Sequence, residues 1–313
     1  MAGKPVMTAL HDTVADYLTI RRALGYKLVE HERQLNDFAS FLEHTGASTI
    51  TTELALRWAS RTRGTEGWKA ARLSIVRGLA RYLRTIDPAT EIPPTGILIH
   101  RKHYAIPYLY SEQDIERLLA EAAALRPQLK AATLYTLIGL IAVTGMRISE
   151  PLRLDRDDVD LDAGVLTIRL TKFGKSRQLP LHASTVQALA RYDQQRDELF
   201  PRPHTPSFFI STRGNRPDKS TVQRDFRGLR RRVGLEGTWG SPKPRVHDLR
   251  HSFAVRTVID WHHAGIDVQP RLLWLSTYLG HVEPSDTYRY LTAAPELLAL
   301  AAKRLETTLG DLP

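Results

Sequence analysis

The sequence of 313 residues contains no cysteine. Without thiols the chain cannot form disulfide bonds, a thiolate nucleophile, an iron–sulfur cluster or a cysteine-based zinc site. It also has no uninterrupted apolar run of about 18 residues, the length of a membrane span, and its first residues (MAGKPVMTALHDTVADY) have no apolar core of signal-peptide length. These absences predict a soluble, cytoplasmic protein.

Acidic residues are in short supply. The chain has 34 Asp and Glu against 44 Lys and Arg, which gives a net charge of +10 at pH 7. A basic balance favours a polyanionic partner, with nucleic acid first and a membrane surface second. Residues 201–250 alone hold twelve Lys or Arg and four acidic residues. This run predicts a surface that follows a phosphate backbone.

The length predicts two domains at about 150 residues each. From 10 to 84, apolar residues recur at spacings of three or four, which predicts four or five short helices and no strand. Four prolines then fall within 87–107, and such a stretch is typical of a semi-rigid connector. We therefore predict a helical domain at 1–86, a linker at 87–107 and a second domain at 108–313.

The second domain is predicted to be mostly helical with a small sheet. Residues 165–170 (VLTIRL) and 177–181 (RQLPL) are rich in branched side chains and predict a hairpin. Helical patterns cover 115–124, 129–143, 184–199, 221–233, 247–264, 270–279 and 295–308. The predicted fold class is mainly α with a small antiparallel β-sheet.

Three separated segments carry groups suited to phosphate chemistry. In TGMRISE (144–150), Arg147 follows a glycine turn at the end of an apolar helix, and its planar fork suits a phosphate. In HDLRHSFA (247–254), His247 and Arg250 lie three residues apart, hence on one helix face. In LGHVEPSDTYRYL (279–291), His281 follows a glycine and Tyr290 comes nine residues later.

These segments, in this order and with a basic hairpin between them, resemble the tyrosine recombinase (phage integrase) family, in particular its Xer-like members. The resemblance implies a helical core-binding domain followed by an integrase-type catalytic domain, together clamping duplex DNA. The ending SDTYRYLTAAPELL looks like recombinases encoded on transposons and other mobile elements. Carried over residue by residue, the implied catalytic set is Arg147, Lys172, His247, Arg250, His281 and Tyr290, with Glu150 orienting the first arginine.

Two of these assignments leave alternatives open. In TKFGKSRQLPL (171–181), Phe173 stands where the family usually has glycine, so either Lys172 or Lys175 matches the hairpin lysine. Tyr290 lies at the family's spacing from His281 and Tyr288 does not. Side chains two positions apart on a helix point in directions that differ by about 200°. Only one of these two tyrosines can therefore face the site.

The resemblance implies a site-specific DNA recombinase that cuts and rejoins strands through a 3′-phosphotyrosine on Tyr290. The arginines and His281 would hold the phosphate, His247 would accept the tyrosine proton, and the lysine would protonate the leaving 5′ oxygen. Metal ion, cofactor and ATP are expected to be absent. The implied partners are double-stranded DNA and either a homo-tetramer or a hetero-complex with related recombinases, with no membrane partner and a location at the bacterial nucleoid.

The alternatives are a type IB topoisomerase and a non-catalytic DNA-binding accessory subunit. The alternative to a catalytic role for Arg147 is a structural ion pair with Glu150 or Asp155. The pair His247 and His251 lacks the glutamate of a HExxH motif, so no metal site is predicted. The predicted DNA-binding residues are Lys69, Arg72, Arg77, Arg81, Lys175, Arg224, Arg227, Arg230, Arg231, Lys243 and Arg245.

Overall fold

The computed structural model of the chain describes residues 6–98, 107–169, 176–237, 243–281 and 287, with side chains from residue 10 onward. Two compact units are present, Met1–Tyr104 and Ala105–Pro313. The described residues form ten α-helices and one three-stranded sheet. The predicted fold class, mainly α with a small antiparallel β-sheet, is confirmed.

The described part of the first unit consists of α1 (Val6–Ala23), α2 (Val29–His44), α3 (Thr52–Ser60) and α4 (Glu66–Leu83). Their apolar stripes meet in one core that includes Leu18, Leu35, Phe38, Trp58 and Leu79. Threonine hydroxyls at the N-caps of α3 and α4 accept a backbone N–H and so fix where these helices begin. Four helices without a strand agree with the periodicity of the sequence.

The segment that follows α4 is attached to the first unit. Glu91 donates its backbone N–H to Ile50 O at 2.8 Å. Arg77 donates to Pro93 O at 2.7 Å and to Pro94 O at 2.8 Å. Residues 91–94 of the predicted linker are therefore hydrogen-bonded to the helical unit.

The second unit contains α5 (Glu112–Ala123), α6 (Gln128–Thr144), α7 (Ala183–Leu199), α8 (Lys219–Arg232), α9 (Val246–His263) and α10 (Val268–Leu279). A capping box between Ser111 and Asp114 begins α5. The apolar helix α6 lies in the centre and packs against α5, α7 and α9. The helix predicted at 295–308 lies outside the described residues.

The sheet has the order β1 (Val159–Asp160), β2 (Val165–Ile168), β3 (Arg177–Pro180), with both pairs antiparallel. The register aligns Leu166 with Leu179 and Ile168 with Arg177, so the two strands that the sequence predicts do pair. The short strand β1 was not predicted. Two 3₁₀ turns, Pro151–Arg153 and Arg156–Asp158, connect α6 to the sheet.

Candidate active site

The candidate site is built on two helix ends that each finish in a left-handed glycine. Gly145 caps α6 with φ 63°, and Gly280 caps α10 with φ 67°. Glycine adopts this conformation without strain. Neither position has room for a side chain: a Cβ at Gly145 would lie 2.5 Å from Phe253 Cδ1, and one at Gly280 would lie 2.6 Å from Arg177 Nη1. The carbonyls of these helix ends carry the partial negative charge of a helix C-terminus.

Arg250 is buried on α9 and spans both helix ends. Its side chain donates from Nη1 to Gly145 O at 2.7 Å and from Nη2 to Leu279 O at 2.8 Å, and the residue is only 1% exposed. A buried cation is costly unless hydrogen bonds compensate for the lost water. The two carbonyls supply that compensation and hold the guanidinium plane in one orientation.

Arg147 reaches the second helix end from the turn that follows α6. Both Nη1 and Nη2 donate to Gly280 O at 3.1 Å, and the side chain is 32% exposed. The two arginines are therefore anchored on adjacent carbonyls, those of Leu279 and Gly280. Since Arg147 remains one-third exposed, its positive charge is accessible to an anion from solvent.

Glu150 is a buried carboxylate that joins two arginines. It accepts the backbone N–H of Arg147 at 2.8 Å and the Arg147 Nη1 at 3.3 Å. Arg177 grips both of its oxygens, at 3.1 Å and 3.0 Å. Burial raises the pKa of Glu150, but the hydrogen bond and charge of Arg177 and the backbone N–H of Arg147 outweigh this effect and lower it. Glu150 is therefore ionised at neutral pH.

His281 directly follows the glycine at the end of α10. Its backbone N–H donates to Ser276 O at 2.9 Å, which closes the helix end. The ring Nδ1 lies 2.7 Å from Thr287 Oγ1. The ring is thus held half-buried, next in sequence to the carbonyl that anchors Arg147.

His247 lies in the first turn of α9, three residues before Arg250. Its ring packs edge-on against His251, with 4.9 Å between the ring centroids. His247 is exposed on one side, but desolvation of the ring by the protein around it, together with His251 and the charge of Arg250, lowers its pKa to about 4. The imidazole is therefore neutral at neutral pH, and its unprotonated ring nitrogen can accept a proton.

The structure brings together four of the predicted site residues through shared backbone and direct contacts: Arg147, Glu150, Arg250 and His281. His247 lies one helical turn from Arg250. The remaining predicted residues, Lys172, Lys175 and Tyr290, and the alternative Tyr288, lie outside the described residues. The described part of the chain contains no group of three His, Asp or Glu side chains that could hold a metal ion.

Residues 109–296 match the phage integrase family. The chain belongs to the phage integrase family. An integrase/recombinase of Sinorhizobium fredii is 47% identical over 312 residues, which covers 97% of this chain and 99% of that protein. The tyrosine recombinase XerD of Bradyrhizobium diazoefficiens is 29% identical, with 95% of this chain and 96% of that protein covered.

Solved structures share the fold. The Tn1549 transposon integrase in complex with transposon right end DNA has a TM-score of 0.66 at 17% identity, covering 94% of this chain and 98% of that one. XerH bound to its palindromic difH substrate has a TM-score of 0.64 at 20% identity, covering 88% and 79%. The protein is a tyrosine-type site-specific recombinase, which confirms the family and the enzyme class that the sequence predicts.

Sequence reasoning missed Arg177 in this recombinase. The residue opens β3, where it is half-buried and shares a face with the buried Leu179. An arginine on the inward face of a strand needs a carboxylate partner, and Glu150 is that partner. In RQLPL, Arg177 and Leu179 are two positions apart and hence on the same face of a strand, and this spacing could have identified Arg177 as an inward-facing residue.

Two predicted DNA-binding residues of the recombinase are buried instead, and this prediction needs correction. Arg72 pairs with Asp37 at 3.0 Å and lies 3.7 Å over the Trp58 ring, with its side chain 9% exposed. Arg230 is 6% exposed and donates to Pro244 O at 3.2 Å. Both side chains pack in the interior of their own unit, where an Nη atom of each has a hydrogen-bond partner.

The other described residues of the predicted DNA-binding set lie at least partly in solvent. Arg77 is held by the proline carbonyls described above, Lys69 pairs with Glu66, and Arg245 pairs with Asp248. Surface positions are occupied by Arg81, Arg224, Arg227, Arg231 and Lys243. Across the described part of the chain, no helix combines the length and the apolar character needed to cross a membrane.

Proposed function

We propose that this recombinase cuts and rejoins DNA strands by two transesterifications through a 3′-phosphotyrosine on Tyr290, with no metal ion and no ATP. One observation carries the proposal: Arg147 and Arg250 are anchored on neighbouring carbonyls of the helix end that leads into His281. Two guanidinium groups fixed on adjacent carbonyls suit the non-bridging oxygens of one phosphate. Their charge would stabilise the negative charge that builds up during phosphoryl transfer.

The anchoring supports catalysis because the donors are already oriented before DNA binds. Arg250 is held by two carbonyls and Arg147 by Gly280 O and Glu150. Preorganised donors need no reorganisation at the moment of reaction, which makes them more effective than mobile ones. In this arrangement the arginine pair takes the charge-neutralising role that Mg²⁺ has in many phosphoryl transfer enzymes.

The proton transfers have candidates on both sides of the phosphate. Tyr290, with an ordinary pKa of about 10, becomes nucleophilic when its proton has an acceptor. His247 is the candidate acceptor, because its ring is neutral at neutral pH and can take up a proton. As the tyrosine oxygen bonds to phosphorus, the bond to the 5′ oxygen breaks, and Lys172 or Lys175 protonates that oxygen. Attack of another strand's 5′ hydroxyl on the phosphotyrosine then releases Tyr290.

Double-stranded DNA is the proposed substrate. The exposed arginines of α8 and the nearby Lys243 offer phosphate contacts, as does Arg81 in the first unit. A recess of about 200 Å³ beside Arg147 is also lined by Arg153 and Arg169. The related XerH and Tn1549 integrase structures hold DNA. By the same resemblance we propose assembly as a homo-tetramer or with related recombinases on two DNA sites of a mobile element.

Covalent trapping on nicked DNA tests the proposal. Nicked duplexes drawn from DNA flanking the gene are incubated with the protein, and adducts are separated under denaturing conditions. We expect Tyr290→Phe to abolish the adduct while DNA binding persists, and Tyr288→Phe to retain it. Loss of the adduct in Tyr288→Phe alone would reassign the nucleophile. No adduct with any duplex, even with related recombinases added, would favour a non-catalytic DNA-binding subunit.

A further inference from the structure

Arg177 contacts two separate parts of the candidate site. The guanidinium grips Glu150 with Nη1 and Nη2, and its Nε donates to Tyr278 O at 3.0 Å in the last turn of α10. The side chain is 14% exposed. An arginine that uses three donors on two elements is held firmly, because its planar fork matches the carboxylate in one orientation.

We propose that Arg177 is a positioning residue for DNA cleavage: it neutralises Glu150, so that Arg147 keeps its charge for the scissile phosphate, and it fixes the helix end that presents His281. This inference rests on the proposed function. Arg177 itself need not touch DNA, since it acts through Glu150 and through the end of α10.

The distances around Glu150 support the first part of the proposal. The contacts from Arg177 are 3.1 Å and 3.0 Å, whereas the Arg147 side chain approaches the carboxylate only to 3.3 Å. Glu150 is 7% exposed, so a missing counter-charge would be costly. Without Arg177, the carboxylate would draw the Arg147 guanidinium into a closer pair. An arginine neutralised in this way holds a phosphate less well.

The contact with α10 supports the second part. Arg177 packs so closely on Gly280 that a Cβ there would lie 2.6 Å from Nη1 and 2.9 Å from Cζ. The carbonyl of Gly280 anchors Arg147, and the next residue is His281. Arg177 also follows Lys175 by two residues, so β3 leads directly out of the segment that contains both candidate lysines. Arg177 is therefore two residues from Lys175 in sequence and contacts both Glu150 and the end of α10 in the fold.

Four variants separate positioning from general stability. Arg177→Met removes all three donors, and Arg177→Lys keeps the charge without the fork. The double variant combines Arg177→Met with Glu150→Gln. It removes Arg177 together with the negative charge of Glu150 that Arg177 neutralises. Arg156→Met is the matched control, because Arg156 also bridges two carboxylates, Asp193 and Asp197, but on the surface beside α7. Circular dichroism identifies variants that remain folded.

The DNA dissociation constant and the single-turnover rate of covalent cleavage are measured for each variant. We expect Arg177→Met to cleave about 10- to 100-fold more slowly with DNA affinity within about twofold, since a small misplacement of a catalytic group has effects of this size. Arg177→Lys should lose less. The double variant should cleave faster than Arg177→Met, because the unneutralised carboxylate is gone. Arg156→Met should cleave like the parent.

A measurement without DNA tests the same positioning. The ¹⁵N-edited signal of the Arg147 Nε–H, assigned by its loss in Arg147→Lys, should shift in Arg177→Met and stay in place in Arg156→Met. An unchanged signal, or cleavage by Arg177→Met within about twofold of the parent, would overturn the inference. A parent protein that forms no tyrosine adduct would instead refute the proposed function, and the Arg147 signal would still decide whether Arg177 positions it.

Discussion

Replacing Gly145 with alanine would perturb the helix end that anchors Arg250. The backbone there has φ 63°, and a new Cβ would lie 2.5 Å from Phe253 Cδ1 and 2.8 Å from Leu279 Cδ2. The left-handed conformation costs alanine about 1–2 kcal/mol. Overpacking against a filled core costs about 1–3 kcal/mol more. We therefore expect Gly145→Ala to lower the free energy of unfolding by about 2–5 kcal/mol.

Gly265→Ala provides the matched control in the same unit. Gly265 also has a positive φ, 69°, but within the described part of the chain its Cβ would meet no atom within 4 Å. Only the conformational cost of about 1–2 kcal/mol applies. Urea unfolding followed by far-UV circular dichroism gives both values. The difference between the two variants then measures the packing of α6 on α9 and α10.

Equal losses in the two variants would refute this reasoning. They would mean that Phe253 and Leu279 move aside at no cost, so that the end of α6 is not tightly held. In that case the anchoring of Arg250 on Gly145 O would also be loose. A larger loss in Gly145→Ala should be accompanied by slower covalent cleavage of DNA, because the carbonyl that orients Arg250 moves with the glycine.

The remaining predictions concern one titration and two basic side chains. The NMR signal of the His247 ring, identified by its loss in His247→Gln, should titrate near pH 4. Because this pKa is below the ordinary value of about 6.5, the free energy of unfolding should fall as the pH decreases from about 6.5 to about 4. A ring that titrates at about 6.5 would contradict the lowered pKa. Arg72→Met should lower the free energy of unfolding by about 1–3 kcal/mol, since the contacts with Asp37 and Trp58 are lost, and leave the salt dependence of DNA binding unchanged. Arg81→Gln should do the reverse, with unchanged urea unfolding and a decrease of about 0.9 in the slope of log affinity against log salt; an unchanged slope would exclude a phosphate contact.

Most helices were predictable because each one buries its own apolar stripe. Leu35, Phe38 and Leu42 recur at helical spacing in the sequence, and all three are buried in α2. The strand β1 was not predictable, because its two residues form a strand only through pairing with Leu166 and Val165. An element of this length carries no periodicity of its own.

The side chains of the candidate site could be predicted from the sequence, but the backbone carbonyls that hold them could not. Arg147 and Arg250 were identified from motifs, but the carbonyls that hold them have no signature in the sequence beyond the glycines that end the helices. Arg177 was missed because its pairing with Glu150 spans 27 residues and two elements. Arg72 was misassigned to the surface because the neighbouring ring that covers it, Trp58, lies on another helix.

The use of main-chain acceptors at Gly145, Leu279 and Gly280 has a consequence for sequence variation. A carbonyl is present whatever the side chain, so substitutions along α10 cannot delete the groups that orient the arginines. What must persist is a helix that ends in a left-handed residue at this point, and Gly280 meets that requirement. Substitutions at the exposed positions of α10, such as Leu273 and Trp274, should therefore leave the orientation of Arg147 and Arg250 unchanged.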